Sequence, residues 1–583
     1  MPTLNWIGKE SVVNHHLEVP FRLLKDVPEL SCNDPGCGNL ILEGDNLVAL
    51  KALLPYYQEK VKCMYIDPPY NTGNEGWVYN DNVNSPTIKK WLGEIVGKDG
   101  ETLDRHDRWL CMMYPRLCLL RDFLSRDGVI LISIDDFEAC HLRCSLDEIF
   151  GAQNFIAQLV WDKTRKNDAK LFSTGHEYML VYAKSLQRLK DLQTVWREQQ
   201  PGAAKVVEEW KNLKKKYGEN VGLIQKDLRE WYKRLDKKDP AKKLSRYKWV
   251  DSNGPWRDRD ISWPGGGGPR YDVIHPVTKL PCVIPERGWG FSQPEEMQRQ
   301  INTGLVQFRD DHTQPPFRKR HLLPVGEETE PNGSEDDDDN FEEAGLLVMP
   351  SIILKQAQVS VKLLRKIFNG KQVFSNPKDH ETLARLIRYV TKPGDIILDS
   401  FAGSGSTAHA VLQINQQDEK PRKFILIEMQ KEIAEKITSE RVRKAISGVA
   451  DIPPLGGGFR YVRLGEKLFD ENGRINEADV RFADLARHVY FSETGEPLPK
   501  ERISAKSPLL AIHHGRAVYL LYNGILKDKS VDGGNVLTNT SIKHLPAHDG
   551  PKVVYVAGCR FSKARLESEN ITFKQTPYSI RTS

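Results

Sequence analysis

The sequence predicts an α/β fold, doubly wound about a mostly parallel sheet, on three observations. Short apolar runs separated by helical patterns open the chain, the same texture returns late, and a glycine-rich bend lies between a late strand and a helix. The early runs are 39–43, 61–66 and 128–134, each bounded by turn residues and short enough for a strand buried on both faces. The late runs, 395–398 and 423–427, flank a helical stretch at 406–413. One sheet is therefore expected from two separated stretches.

With 583 residues the chain exceeds what one core ordinarily holds, so accessory domains are expected. We divide it into an N-terminal extension (1–38), a first half of the sheet domain (39–186), an inserted domain (187–349), a second half (350–450) and a small C-terminal domain (451–583) whose role the sequence does not disclose. In the insertion, Val206, Trp210, Leu213, Tyr217, Val221, Ile224, Leu228, Trp231 and Leu235 recur every three or four residues, which predicts an amphipathic helical hairpin broken near 218–222. A stretch rich in Trp, Gly and Pro follows. Residues 326–344, with Glu327, Glu328, Glu330 and four aspartates from Asp336 to Asp339, have too few apolar side chains to pack and read as an acidic linker. Short strands near 517–522 and 552–556 belong to the C-terminal domain.

Lys and Arg number 84 against 79 Asp and Glu, a net +5 too small to reveal a nucleic-acid partner from whole-chain charge. Nine cysteines without a Cys-x-x-Cys argue against a zinc module and for reduced thiols in the cytoplasm, and no metal is expected. The longest apolar run, 129–134, falls far short of the roughly 20 residues a membrane helix needs. Mean hydropathy is −0.51, and residues 1–16 lack the apolar core of a signal peptide, so a soluble protein without a membrane partner is expected.

Two motifs carry chemistry. The first, Tyr65-Ile66-Asp67-Pro68-Pro69-Tyr70-Asn71, sits at the carboxyl end of the strand 61–66, where open α/β sheets place their ligands. An exocyclic amino nitrogen on a base is a poor nucleophile because its lone pair is delocalised into the ring. Acceptors aimed at its two hydrogens would localise that pair. Asp67 offers a carboxylate and Pro68 a carbonyl, Pro68 and Pro69 stiffen the turn, and Tyr70 offers a flat face for an extruded base. Asp-Pro and Pro-Pro also punctuate ordinary turns, but at roughly 5% usage per residue type a given tetrapeptide arises by chance in only a few per thousand chains of this length.

The second motif, Asp399-Ser400-Phe401-Ala402-Gly403-Ser404-Gly405-Ser406, links a strand to a helix, and Glu428 ends the next strand 25 residues beyond Gly403. Gly403 and Gly405 let the backbone approach a nucleoside-like ligand, the helix start offers N–H groups to an anion, and Glu428 is placed to accept from ribose hydroxyls. The spacing suits S-adenosylmethionine. A dinucleotide would satisfy much of it, although Ala408 replaces the last glycine of the dinucleotide fingerprint.

Together the motifs resemble the two signatures of the DNA amino-methyltransferases, Asp-Pro-Pro-Tyr and Phe-x-Gly-x-Gly, in the beta-class order with the insertion between them. Within that class the chain resembles the modification subunits of type III restriction-modification systems, through Asn71-Thr72-Gly73-Asn74, Tyr79-Asn80-Asp81 and, less specifically, Asn570 to Gln575. The resemblance implies a Rossmann-like methyltransferase sheet and an S-adenosylmethionine site at Asp399, Phe401, Gly403, Ser404, Gly405 and Glu428. Phe374, Pro377 and Lys378 would match the segment against the methionine end, and Asp45 after Gly44 a further strand-end motif. It implies an adenine flipped from double-stranded DNA as target, a homodimer, and a helicase-nuclease restriction subunit as partner. The insertion corresponds to the target-recognition region, where Lys248, Trp249, Trp256, Arg257, Arg259, Trp263, Arg270, Tyr271, Trp289 and Arg309 offer guanidinium donors and aromatic faces, although a core would claim most tryptophans.

Three alternatives stay open. Cytosine amino methylation uses similar electronics, with Ser more often standing where Asp67 stands. A non-catalytic specificity subunit would bind DNA without transfer, which two intact motifs argue against. A fused nuclease would need a Pro-Asp…Glu-x-Lys stretch, and none is convincing in the terminal regions.

Overall fold

The computed structural model describes residues 3–33, 37–72, 105–163, 171–323 except 264, 346–449 except 356, 357, 417 and 419, 452–469, 475, 480–499, 507–521 and 535–576. The acidic stretch 326–344 and the motif residues Gly73, Asn74 and Tyr79 to Asp81 lie outside them.

Ten strands form one sheet: β1 (Arg22–Asp26), β2 (Leu40–Glu43), β3 (Val61–Ile66), β4 (Leu124–Ile134), β5 (Phe155–Asp162), β6 (His176–Ala183), β7 (Ile352–Leu354), β8 (Ile396–Asp399), β9 (Lys423–Glu428) and β10 (Arg460–Lys467). Their spatial order is β1-β10-β2-β9-β8-β3-β4-β6-β5-β7. The central ladders β2–β9, β9–β8, β8–β3 and β3–β4 are all parallel, while β6 runs antiparallel to both neighbours. The central strands are buried almost throughout, so their sequences read as continuous apolar runs rather than alternating ones. Helices cover them: α1 (Asn46–Tyr57), α2 (Arg105–Phe123), α3 (His380–Val390) and α4 (Ser406–Asn415), α1 lying against α2 and α3 against α4.

This topology fixes where a ligand binds. From β8 the chain crosses to β9 on one side, and from β3 to β4 on the other, so the order reverses between the adjacent strands β3 and β8. A crevice opens outside their carboxyl ends at such a switch point. Both motifs of the sequence end there.

The sheet extends beyond the two predicted halves. From the N-terminal extension β1 supplies an edge strand, and β10, from the segment assigned to a separate C-terminal domain, pairs parallel with β2. The C-terminal stretch also carries the helix Phe482–Thr494, whose Leu485, Ala486 and Val489 are buried in the same core cluster as Leu50 and Leu53 of α1. Its own four-stranded sheet, Leu509–His513, Arg516–Leu520, Lys552–Val556 and Ile571–Gln575, gives Val518 and Val553 to that cluster as well. Residues 1–194 and 351–583 form one compact unit, and the late elements divide their apolar faces between the shared core and a smaller cluster of their own around Ala517, Tyr519, Val554 and Val556.

The second unit is residues 195–350. The helices Ala203–Tyr217 and Val221–Arg234 bury Val206, Leu213, Ile224 and Leu228 in one cluster, whereas Val221 is exposed. A four-stranded sheet follows, ordered Val306–Gln307, Phe317–His321, Gly254–Asp260 and Trp249–Asp251. Trp289 is fully buried in a second cluster, while Trp256 stacks between Trp249 and Phe317 with the Lys319 ammonium 5.1 Å from its ring centre. Among the described residues no helix is long and apolar enough to cross a membrane.

Candidate active site

The loops leaving β3 and β8 line one cavity at the switch point, with Asp67 from the first and Asp399, Phe401, Gly403 and Ser404 from the second. Phe374 and Lys378, from the segment that leads into α3, complete it. The bend after β8 is shaped by two glycines with positive φ, 50° at Gly403 and 76° at Gly405, a region a Cβ makes costly. Gly405 is the N-cap of α4, so the first N–H groups of that helix face the bend. The bend is pinned from behind. Gly403 N–H donates to Glu428 Oε2 (2.9 Å), Thr438 Oγ1 donates to the Gly403 carbonyl (2.6 Å), and the buried Arg441 guanidinium donates to Ser404 Oγ (2.8 Å) and Ser406 Oγ (2.6 Å).

At the other wall, the Asp67 carboxylate meets the Lys378 ammonium at 3.0 Å. Lys378 also donates to both oxygens of Glu177 (2.8 and 2.9 Å) and to the Tyr70 hydroxyl (2.5 Å), which in turn donates to Glu177 Oε2 (2.9 Å). Lys163 closes the cluster with an ion pair to Glu177. Burial opposes the charge on Lys378, but Asp67 and Glu177 overcome it and raise its pKa. Burial likewise opposes the charge on Glu177, yet the two ammoniums pull it down to about 2. Burial, then the Lys378 ammonium, lowers Lys163 to about 8.

A family model described as a DNA methylase matches residues 61–440, the span that holds both motifs and the cavity between them. The chain belongs to the DNA methylase family. It is 28% identical to the type III restriction-modification enzyme EcoP15I Mod subunit of Escherichia coli, over 84% of this chain and 74% of that one. It is 30% identical to the StyLTI Mod subunit of Salmonella typhimurium over 84% and 71% of the two chains, a likeness that places it with the type III Mod subunits. The type II methyltransferase M.KpnI of Klebsiella pneumoniae is 28% identical over 73% of this chain and 88% of its own.

In this DNA methylase seven of the residues singled out from sequence line the cavity: Asp67, Phe374, Lys378, Asp399, Phe401, Gly403 and Ser404. The others, Tyr70 among them, are not part of its lining. Pro68 and Pro377 are buried, and Pro69 has its carbonyl engaged by Trp109 Nε1 (2.6 Å), which fixes the turn after β3. Glu428, expected to face ribose hydroxyls, is buried behind the bend, where its oxygens accept from Gly403 N–H and Gln430 N–H. Asp45 caps α1 by accepting from Leu47 and Val48 N–H and pairs with Arg116, so the chemistry of a helix cap accounts for it.

Glu177, Lys163 and Glu138 were not anticipated. Glu138 is fully buried and accepts from Asn71, which follows Tyr70 at φ 57°, while binding His106 (2.7 Å) and His141 (2.8 Å). It thereby braces the turn that carries Asp67. A signal existed for Glu177 alone, a lone carboxylate near the head of the apolar run 176–183.

Asp399 yields a stability prediction. Burial pushes its carboxyl up to about 7, against hydrogen bonds from Thr407 Oγ1 (2.6 Å) and Phe401 N–H (3.0 Å). A carboxyl raised above its unfolded value of roughly 4 contributes stability that is full below that value and lost as pH rises through about 7. Asp399→Asn keeps an acceptor and cannot ionise. Its melting temperature should gain on the wild type by a few degrees between pH 5 and pH 8, and a constant difference in melts across that range would refute the assignment.

Proposed function

We propose that this chain transfers a methyl group from S-adenosylmethionine to the exocyclic N6 of an adenine extruded from double-stranded DNA, as the modification subunit of a type III restriction-modification system. The observation that carries this reading is the single cavity shared by Asp67 and the Phe401 to Ser404 bend at the switch point of the sheet. Family membership and the likeness to Mod subunits along most of the chain support it.

The residues present fit the cofactor. Phe374 and Phe401 offer apolar faces, the bend allows close backbone approach, and the first turn of α4 supplies N–H donors, with the Arg441 charge behind it, for a carboxylate. When bound, S-adenosylmethionine supplies a methyl group on a positively charged sulfur. The chain's part is to position and polarise the acceptor. Asp67 would accept a hydrogen bond from the target amino group and the Pro68 carbonyl, held by a stiff turn, the second, so that electron density gathers on the nitrogen; as the nitrogen–methyl bond forms the methyl–sulfur bond would break, the sulfur leaving as a neutral thioether and the surplus amino proton passing to water. No covalent bond from base to protein is needed. Tyr70 supplies the ring beside which the extruded base sits.

The Mod-subunit likeness further supports a cytoplasmic protein, a homodimer, a helicase-nuclease restriction subunit as partner, and target recognition by the inserted unit. Incubating the purified chain with labelled S-adenosylmethionine and DNA, then digesting the DNA to nucleosides, tests the reaction. N6-methyladenine is the expected product. N4-methylcytosine as the sole product overturns the choice of base, and a chain that shifts DNA on a gel without transferring label is a specificity subunit instead.

A further inference from the structure

We propose that Lys378, Glu177 and Lys163 form, with Asp67, a neutral buried quartet of two ammoniums and two carboxylates that keeps Asp67 ionised in the pocket. This rests on the reading of Asp67 as the acceptor of the target amino group, and assigns to the other three a positioning role exerted through it.

The need comes from burial. The Asp67 side chain is 14% exposed, Glu177 6%, Lys378 8% and Lys163 22%. A lone carboxylate in such a place takes up a proton rather than remain charged, and a protonated Asp67 would be a poor acceptor for an amino group becoming positive. Burial, with the Glu177 charge beside it, leaves the Asp67 pKa above its ordinary value, and Lys378, then Lys163, hold it down against that push. The groups facing Asp67 come from every surrounding element: Lys378 from the segment before α3, Glu177 from β6, Lys163 after β5, Tyr65 from β3, Tyr70 from its own turn and Asp399 from β8. Burial holds both tyrosines neutral, so the two ammoniums are the counter-charge.

Glu177 explains why that counter-charge does not disable the site. An ammonium paired with Asp67 alone could occupy both of its oxygens. Here Glu177 takes a two-oxygen grip on Lys378 and a further bond from Tyr70, so the ammonium is shared between two carboxylates, and its approach to Asp67 is 3.0 Å to Oδ1. Lys163 balances the second carboxylate.

The test is the pH profile of single-turnover methyl transfer from labelled S-adenosylmethionine to DNA. Activity should fall as pH drops through the Asp67 pKa. Lys378→Met removes a positive neighbour and should move that acid limb up by about one to three units. Lys163→Met should move it up less, and Glu177→Gln, removing a negative neighbour, should move it down. The double variant Lys378→Met/Glu177→Gln should return toward the wild type. Opposite displacements are what charge predicts and loosened packing does not. Limbs within a few tenths of a unit in all variants, or Lys378→Met and Glu177→Gln moving the same way, would overturn the proposal. If Lys378→Met shows no transfer at any pH, the limb of Lys163→Met decides, and an unmoved one overturns it. Asp67→Asn separates the two levels. A wild-type acid limb surviving in that variant, or a wild type that transfers nothing, defeats the reading of Asp67 itself.

Discussion

Asp67→Ala is expected to lower methyl transfer by about a thousandfold or more while leaving S-adenosylmethionine affinity within a few-fold of the wild type. Removing one preorganised group that acts only as charge develops costs roughly 10² to 10³ in rate, and here the lost group is the charged one. Alanine also leaves the Lys378 ammonium facing the target nitrogen with only Glu177 to answer it, so a withdrawn acceptor becomes a repulsive neighbour. Asp67→Asn should fall between the two, because its amide oxygen still accepts but carries no charge. Single-turnover transfer measured beside equilibrium cofactor binding checks this, and equal loss of cofactor affinity and rate would place Asp67 in the wrong role.

The parts legible in the sequence were those whose signal is local. Val61–Ile66 was located to the residue, and β8 and β9 to within one residue at either end, because strands buried on both faces are unbroken apolar runs that stop at turn residues. The glycine bend and the Asp-Pro-Pro-Tyr turn were legible for the same reason: each packs several chemical requirements into adjacent positions. Strands β1 and β10 were missed because both carry charged residues among their apolar ones, as in Arg-Leu-Leu-Lys-Asp of the edge strand β1, and only pairing between residues more than 400 apart makes them strands. The charge cluster was illegible for a related reason. Lys378 reaches Glu177 across 201 positions and Tyr70 across 308, and a lysine or glutamate met singly reads as a solvated side chain. Glu428 shows the converse. Its place at the end of β9 was read correctly, yet position in the chain could not tell that the N–H groups of Gly403 in the bend and of Gln430 just beyond the strand would donate to its oxygens.

Gly403→Val should produce the mirror image of the Asp67 variant, weakening S-adenosylmethionine binding by about a hundredfold or more, which is roughly 3 kcal/mol. At φ 50° Gly403 occupies the left-handed region, where a β-branched residue is strained by about 1–2 kcal/mol. The bend cannot relieve that strain by moving, because its amide is fixed by Glu428, its carbonyl by Thr438 and the next residue by Arg441. The added methyls would also stand on a stretch of backbone that lines the cavity. Gly403→Ala should lose less, since it brings the strain with a smaller side chain. Asp67 is untouched in either variant, so single-turnover transfer at saturating cofactor should recover most of the wild-type rate. A Gly403→Val protein that binds the cofactor normally but cannot transfer would mean that the bend serves the target base rather than the methyl donor.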